Sequence, residues 1–184
     1  MPRYVALLRG INVGGKNPIP MAALKACFEG AGFEEVGTYI QSGNVVFTGP
    51  ASNQAALTDR VEWTIRNAFA HYEASVVVKS RSQMRAVVDA APKGFGKEPA
   101  KYRYDVCFLK PSVRAKQVVA SLPTKEGVDR IWAGSGVVYF SRLTSRATSS
   151  RMNRVASLPA YKQMTIRNWN TTTKLRELLD AETA

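Results

Sequence analysis

Arg9-Gly10-Ile11-Asn12-Val13-Gly14-Gly15-Lys16-Asn17 is the stretch whose residue types and spacing suggest chemistry first. Gly10, Gly15 and Lys16 stand at the glycine and lysine positions of the phosphate-cradling loop G-x-x-x-x-G-K-[ST], where backbone N–H groups hold phosphates and the lysine adds charge. Asn17 replaces the hydroxyl that would ligate magnesium, and Pro18 and Pro20 postpone the helix whose N-terminal dipole should face the phosphates. No apolar strand ending in aspartate offers a second metal ligand. These departures argue against nucleotide hydrolysis. They leave open anion binding by a glycine-rich backbone flanked by Arg9 and Lys16.

A second polar cluster is Gln41-Ser42-Gly43-Asn44, with Tyr39 just before it, and a third is Arg167-Asn168-Trp169-Asn170-Thr171 at a helix start. A helix start carries free N–H groups and the positive end of the dipole, so Arg167 and Asn170 join the candidates for an anion, with Asn170 the natural N-cap. Other chemistries find little support. His71 is the lone histidine and sits at the end of a helical stripe, which suits a structural role better than a catalytic triad. Cys27 and Cys107 lie in apolar patterns and read as reduced, buried side chains. Without a Cys/His cluster there is no zinc set, and no cofactor is indicated. Trp63, Trp132, Trp169, Tyr102, Tyr104 and Tyr139 are possible stacking faces for bases, although sheet packing accounts for them equally well. The aromatic consensus of RNA-binding sheets is absent.

Charge is unevenly distributed. Of the net +12, residues 92–184 supply +10, from 17 Lys+Arg against 7 Asp+Glu, and residues 1–91 supply +2, from 9 against 7. No acid occurs between Asp129 and Glu177, while nine basic residues fall in that interval. A field of one sign draws polyanions such as nucleic acid; it also serves solubility or the acidic face of a protein partner. No apolar run approaches the roughly 20 residues of a membrane helix, and the N-terminus enters a strand pattern at once. The expectation is a cytoplasmic protein without membrane attachment.

The elements that must position these residues come in a repeated order. Tyr4–Leu8 is a short buried-strand run, and Met21, Leu24, Phe28 and Ala31 follow at helical spacing up to a stop at Gly32. Thr38–Gln41 and Asn44–Phe47 flank Ser42-Gly43 as a hairpin. Leu57, Val61, Ile65, Ala68, Phe69 and Tyr72 form a helix stripe capped by Ser52 or Asn53. Val76–Val78 is a strand, and Met84, Val87 and Val88 belong to a short trailing helix. Residues 92–101, rich in proline, glycine and charge, read as a linker. The order then restarts with strand Tyr104–Phe108, a helix stopped by Pro123, and a hairpin of Arg130–Trp132 with Val137–Phe140. A Ser/Arg-rich stretch follows, with a helix expected near 149–157, then strand Met164–Ile166 and a capped helix from Asn170. Ser42–Phe47 and Ser135–Phe140 align at an offset of 93. The order is that of split β-α-β, ferredoxin-like units, so the fold expected is α+β, with a first half over 1–91 and a basic second half over 102–184. Packing of the halves on each other would bury the second face of each sheet.

In such a unit the ends of the first strand and of the first hairpin share one sheet edge. A two-residue turn pairs Gln41 with Asn44 and Ile40 with Val45. Ile40, Val45 and Phe47 then fall on one face, and Tyr39, Gln41 and Asn44 on the other. Arg9, Asn12, Gly14, Gly15, Lys16 and Asn17 would converge there with Tyr39, Gln41, Ser42 and Asn44 on a bound anion. The alternative is that the amides only satisfy the backbone of a tight loop.

The segments Arg3–Asn17, Thr38–Phe47 and Thr165–Thr171 together resemble the bacterial family catalogued as domain of unknown function 1697. The resemblance covers essentially the whole chain and implies a duplicated ferredoxin-like fold; it implies no activity, substrate or catalytic residue. The function expected from the residues is binding of a phosphate-bearing ligand, nucleotide or nucleic acid. The rival readings are an enzyme on a small phosphorylated metabolite, with Arg9, Lys16, Tyr39 and Asn44 positioning it, and a protein-interaction module.

Overall fold

The computed structural model describes residues 1–51 and 53–181. Its elements run β1 (Arg3–Leu8), α1 (Met21–Gly30), β2 (Glu34–Tyr39), β3 (Asn44–Thr48), α2 (Gln54–Ala68), β4 (Val76–Ser80) and α3 (Arg81–Asp89). The order continues with β5 (Tyr102–Leu109), α4 (Ala115–Ser121), β6 (Asp129–Ala133), β7 (Val137–Leu143), β8 (Met164–Asn168) and α5 (Trp169–Asp180). Two four-stranded antiparallel sheets result, ordered β2-β3-β1-β4 and β6-β7-β5-β8. Each is the split β-α-β arrangement, in which the third strand of a unit inserts between the first two. The fold is therefore α+β and duplicated, as the element order predicts. By compactness the chain divides into Met1–Arg85 with the segment from Lys174, and Ala86–Thr173, so the divisions fall inside α3 and α5.

In the first unit, strand alternation sends Tyr4, Ala6, Leu8, Val45, Phe47, Val76 and Val78 to one face. There they pack against Leu24 and Phe28 of α1 and Leu57, Val61 and Ile65 of α2. Asn53 caps α2, its side chain accepting from Ala55 N at 2.8 Å; Ser52, the other cap candidate, lies outside the described residues. The opposite face carries Val5, Leu7, Asn44, Val46, Val77 and Lys79, all buried.

The first hairpin differs from its expected register. Tyr39 pairs with Asn44 and Thr38 with Val45, so residues 40–43 form a four-residue connection. Ile40 is consequently not on the core face: it sits in the turn at φ 49° and is 48% exposed. The cause is tertiary. Leu8 N donates to Gly43 O at 2.8 Å, and Gly43 lies against Ile11 and Leu8, which fixes where the strand can begin.

In the second unit the core face joins Cys107 and Leu109 of β5, Val138 and Phe140 of β7 and Met164 of β8 to Val118 and Leu122 from the α4 region. Among the described residues no α-helix connects β7 to β8. The helix expected near 149–157 is a 3₁₀ segment, Arg151–Ser157, between two others at Thr144–Ser149 and Pro159–Gln163. Met152, Val155, Leu158 and Tyr161 all join the core cluster. Their spacing of three suits a 3₁₀ helix, in which side chains at i and i+3 eclipse. The segment is pinned by buried Asp129, whose carboxylate accepts from Ser150 Oγ at 2.6 Å and Arg151 N at 2.8 Å.

Within the mostly exposed stretch 92–101, Phe95 is packed into the second unit. Phe95 is 6% exposed and makes edge-on ring contacts with Tyr104, Trp132, Tyr139 and Trp169 at centroid distances of 4.9–5.9 Å. A single aromatic anchor inside a proline- and glycine-rich stretch leaves no periodic trace in the sequence. The helix cap also moves: Asn168, not Asn170, accepts from Thr171 N at 2.8 Å, because β8 continues to residue 168 and α5 starts at Trp169.

Candidate functional site

The first unit brings the loop 9–17 and the turn 40–43 together, and it spends their amides on holding each other. Asn12 Nδ2 donates to Ile19 O and Gln41 O, each at 2.9 Å, and its Oδ1 accepts from Ile19 N at 2.8 Å. Asn17 Nδ2 donates to Gly10 O at 2.9 Å, and Asn12 N to Asn17 O at 3.1 Å. Asn44 is fully buried; its Nδ2 donates to Tyr39 O and to Ser42 Oγ. Tyr72 OH donates to Arg9 O at 2.6 Å, and burial pushes that phenol above its ordinary pKa. His71 Nε2 lies 3.2 Å from Pro18 O, which gives the lone histidine a place in fixing the loop.

Beyond this frame the loop ends in a tight turn. Val13 and Lys16 form a single antiparallel bridge, and Gly14 and Gly15 between them sit at φ 57° and 74°. Positive φ at both central positions is the type I′ signature, which explains the glycine pair without a ligand. A Cβ on either would meet nothing within 4 Å, so the tip stands clear of the rest of the unit. Lys16 and Gln41 are exposed, and Arg9 and Tyr39 half-buried. Asn12 and Asn17 are half-buried as well and Asn44 is fully buried, and the amides of these three hold the loop and the turn together.

The second unit holds a cleft of about 380 Å³, lined by Gly96, Pro99, Tyr102–Asp105, Arg142 and Asn168–Asn170. It lies where β8 ends while β5 runs on: β8 pairs with residues 105–109 only, whereas β7 accompanies β5 from Tyr102. Arg103 and Arg142 are direct cross-strand partners. Like charges placed opposite each other on adjacent strands are destabilising unless something else compensates. Asp105 follows two residues on, opposite Asn168. Burial raises its carboxyl above the ordinary value, while Arg142 and Arg103 act to lower it. On the opposite face of the sheet, Lys101 Nζ and Arg130 Cζ stand 5.2 and 5.5 Å from the Tyr102 ring centre, within cation–π range. Gly96, at φ 79°, packs so closely on Trp169 that a Cβ there would fall 2.2 Å from the indole nitrogen.

Of the third predicted cluster, Asn170 is exposed at this cleft, while Arg167 is 7% exposed on the other face of β8, with Nη1 donating to Ile166 O at 2.9 Å. Sequence reasoning named Tyr102, Tyr104 and Trp169 as stacking candidates but missed Arg103, Asp105 and Arg142, whose only signal is their common parity on paired strands. Tyr139, another of those aromatics, is a core residue. It is 2% exposed, its OH donates to Val87 O at 2.6 Å, and burial pushes its pKa up to about 12. Among the described residues no three His, Cys, Asp or Glu side chains gather as a metal set, and no helix is long and apolar enough to cross a membrane.

Two split β-α-β units in tandem, one carrying a glycine-tipped loop and the other a cationic, aromatic cleft, define a duplicated ferredoxin-like α+β protein. The chain belongs to the family described as "Protein of unknown function (DUF1697)", which matches residues 1–139. It is also similar to a solved structure, that of the conserved bacterial protein SP0830 from Streptococcus pneumoniae. The two are 28% identical, with a TM-score of 0.85 over 98% of this chain and 99% of that one. No match was found among curated proteins.

Proposed function

We propose that the protein binds a phosphate-bearing ligand, a nucleotide or single-stranded nucleic acid, in the cytoplasm, chiefly through its second unit. The observation that carries the reading is the charge of Ala86–Thr173: 15 Lys+Arg against 5 Asp+Glu, a net +10, with Arg103 and Arg142 set face to face in a cleft that also offers aromatic rings. Interleaved cations and π-faces suit single-stranded nucleic acid, since backbone phosphates meet the cations while bases stack. Arg9, Lys16, Tyr39 and Gln41 on the first unit are auxiliary contacts in this reading. Binding of a fluorescent single-stranded oligonucleotide, titrated against salt, tests it. Affinity should fall linearly in log–log form with a slope of about −0.7 per phosphate contacted. Negligible binding at low salt, or binding indifferent to salt, rejects it.

A second reading, an enzyme acting on a small phosphorylated metabolite, has one observation in its favour: Asp105 is a partly buried carboxyl with a raised pKa in the same cleft, as acid–base groups often are. A thermal-shift screen distinguishes it. A tight small ligand raises the melting temperature in proportion to the logarithm of its concentration, and turnover would follow for that ligand alone.

A further inference from the structure

Asp105 is out of place in a wall built only for phosphate. It is the one acid among the cleft's lining residues, and each carboxylate in such a wall repels the ligand that Arg103 and Arg142 attract. A purely structural acid would be expected to pair with one of those guanidinium groups. Asp105 makes no hydrogen bond or ion pair with either among the described residues; they influence it only through space. Asp129, on the same sheet, shows what a structural acid looks like here: 8% exposed, with its oxygens taken up by Ser150, Arg151 and Lys125.

The lining around Asp105 suits a ligand that pairs a donor-bearing group with an anionic one. By strand alternation Arg103, Asp105, Arg142 and Asn168 share one face of the sheet, and Tyr102 and Tyr104 take the other. The volume of about 380 Å³ falls within the range typical of small-ligand pockets. A carboxylate presents two acceptor oxygens side by side, and among the common bases only guanine shows two adjacent donors, N1–H and the N2 amino group, on one edge. We propose that the cleft is a nucleobase subsite in which Asp105 reads the guanine edge and the Arg103–Arg142 pair, on the same face of the sheet, takes the phosphate. This rests on the phosphate-ligand reading above and adds base selectivity to it.

The full-length protein is titrated at low salt with GMP, AMP, CMP and UMP, and separately with a fluorescent oligo-dT, as wild type and as Asp105→Asn. The expected result is GMP binding about tenfold or more tighter than the other three, the discrimination a good bidentate pair supplies. Asp105→Asn should abolish that preference while oligo-dT binding holds or tightens. The substitution is close to isosteric, and the wild-type panel decides the point even if the variant is unstable. Equal affinity for all four nucleotides, or an Asp105→Asn variant that keeps the GMP preference, overturns the subsite; salt-dependent oligo-dT binding would then still stand for the broader reading. Loss of both GMP and oligo-dT binding in the wild type overturns both, and selective GMP binding without oligo-dT binding keeps the subsite alone.

Discussion

Individual polar residues in this chain divide into those that hold the backbone and those that face outward, and residue type alone does not sort them. Asn12, Asn17 and Asn44 looked like ligand donors because amides beside glycines fit an anion site. Their hydrogen bonds show that each amide closes the loop on itself or on the neighbouring turn. Asp105 and Asp129 read alike in sequence, yet one is fully engaged and the other is not. What decides is burial and partners, which no spacing rule conveys. Lys79 extends the point. It is 7% exposed on β4, and burial lowers its pKa below the ordinary lysine value, with no ion pair for it among the described residues. Below its folded pKa both the native and the unfolded chain carry the charge, so the burial penalty is felt in full. Between that pKa and the ordinary 10.5 the native lysine sheds its proton first, and stability rises with pH. Lys79→Met should therefore raise the melting temperature at pH 7 by roughly 2–4 °C, the shift that about 1 kcal/mol produces at this size. The gain over wild type should shrink as pH approaches 10.5. Calorimetric scans of both proteins between pH 7 and 10.5 check it, and a pH-independent gain would mean that packing, not charge, is responsible.

At the scale of elements, what the sequence disclosed was set by period. Strands and α-helices with clean periods of 2 and 3.6 were legible, including the repeat at offset 93 and the two hairpins. The crossover after β7 was not, because its apolar residues, Met152, Val155, Leu158 and Tyr161, recur every third position and blur any search at 3.6. The same period of three aligns Arg151 with Arg154, both exposed, along one edge of the 3₁₀ segment. The register of the first hairpin was illegible for another reason: it is dictated by a long-range contact. Gly43, at φ 79°, leaves room for Ile11 and Leu8; a Cβ there would lie 2.6 Å from Ile11 Cδ1 and 2.9 Å from Leu8 Cβ. Gly43→Ala must strain the left-handed backbone and push Ile11 out of the core at once. The expected cost is about 1–3 kcal/mol of unfolding free energy by urea denaturation. Gly14→Ala meets open space and pays the backbone term alone, so it should cost about 1 kcal/mol. Equal losses would remove the claim that Gly43 joins the loop to the turn.

At the scale of the whole molecule, the feature that separates the two units is charge. The chain repeats one fold, yet Ala86–Thr173 carries +10 of the net +12. A protein needing charge only for solubility gains nothing from concentrating it, whereas a polyanion is drawn to a field of one sign. Equal changes in net charge made in different units separate these cases. Arg151→Glu with Arg154→Glu and Lys25→Glu with Arg66→Glu each take the chain from +12 to +8 at exposed positions. Neither arginine of the first pair makes a side-chain ion pair among the described residues, and the second pair disturbs one exposed contact, Lys25 with Glu29, so both variants should fold. If the second unit is the binding surface, the first variant should lose most of its oligonucleotide affinity, and its salt slope should flatten by about 1.4, two phosphate contacts' worth for a single strand. The second variant should stay within about threefold of wild type, because it leaves the +10 of Ala86–Thr173 unchanged. Equal losses in the two variants would mean that net charge alone attracts the strand and that the asymmetry between the units has no part in binding.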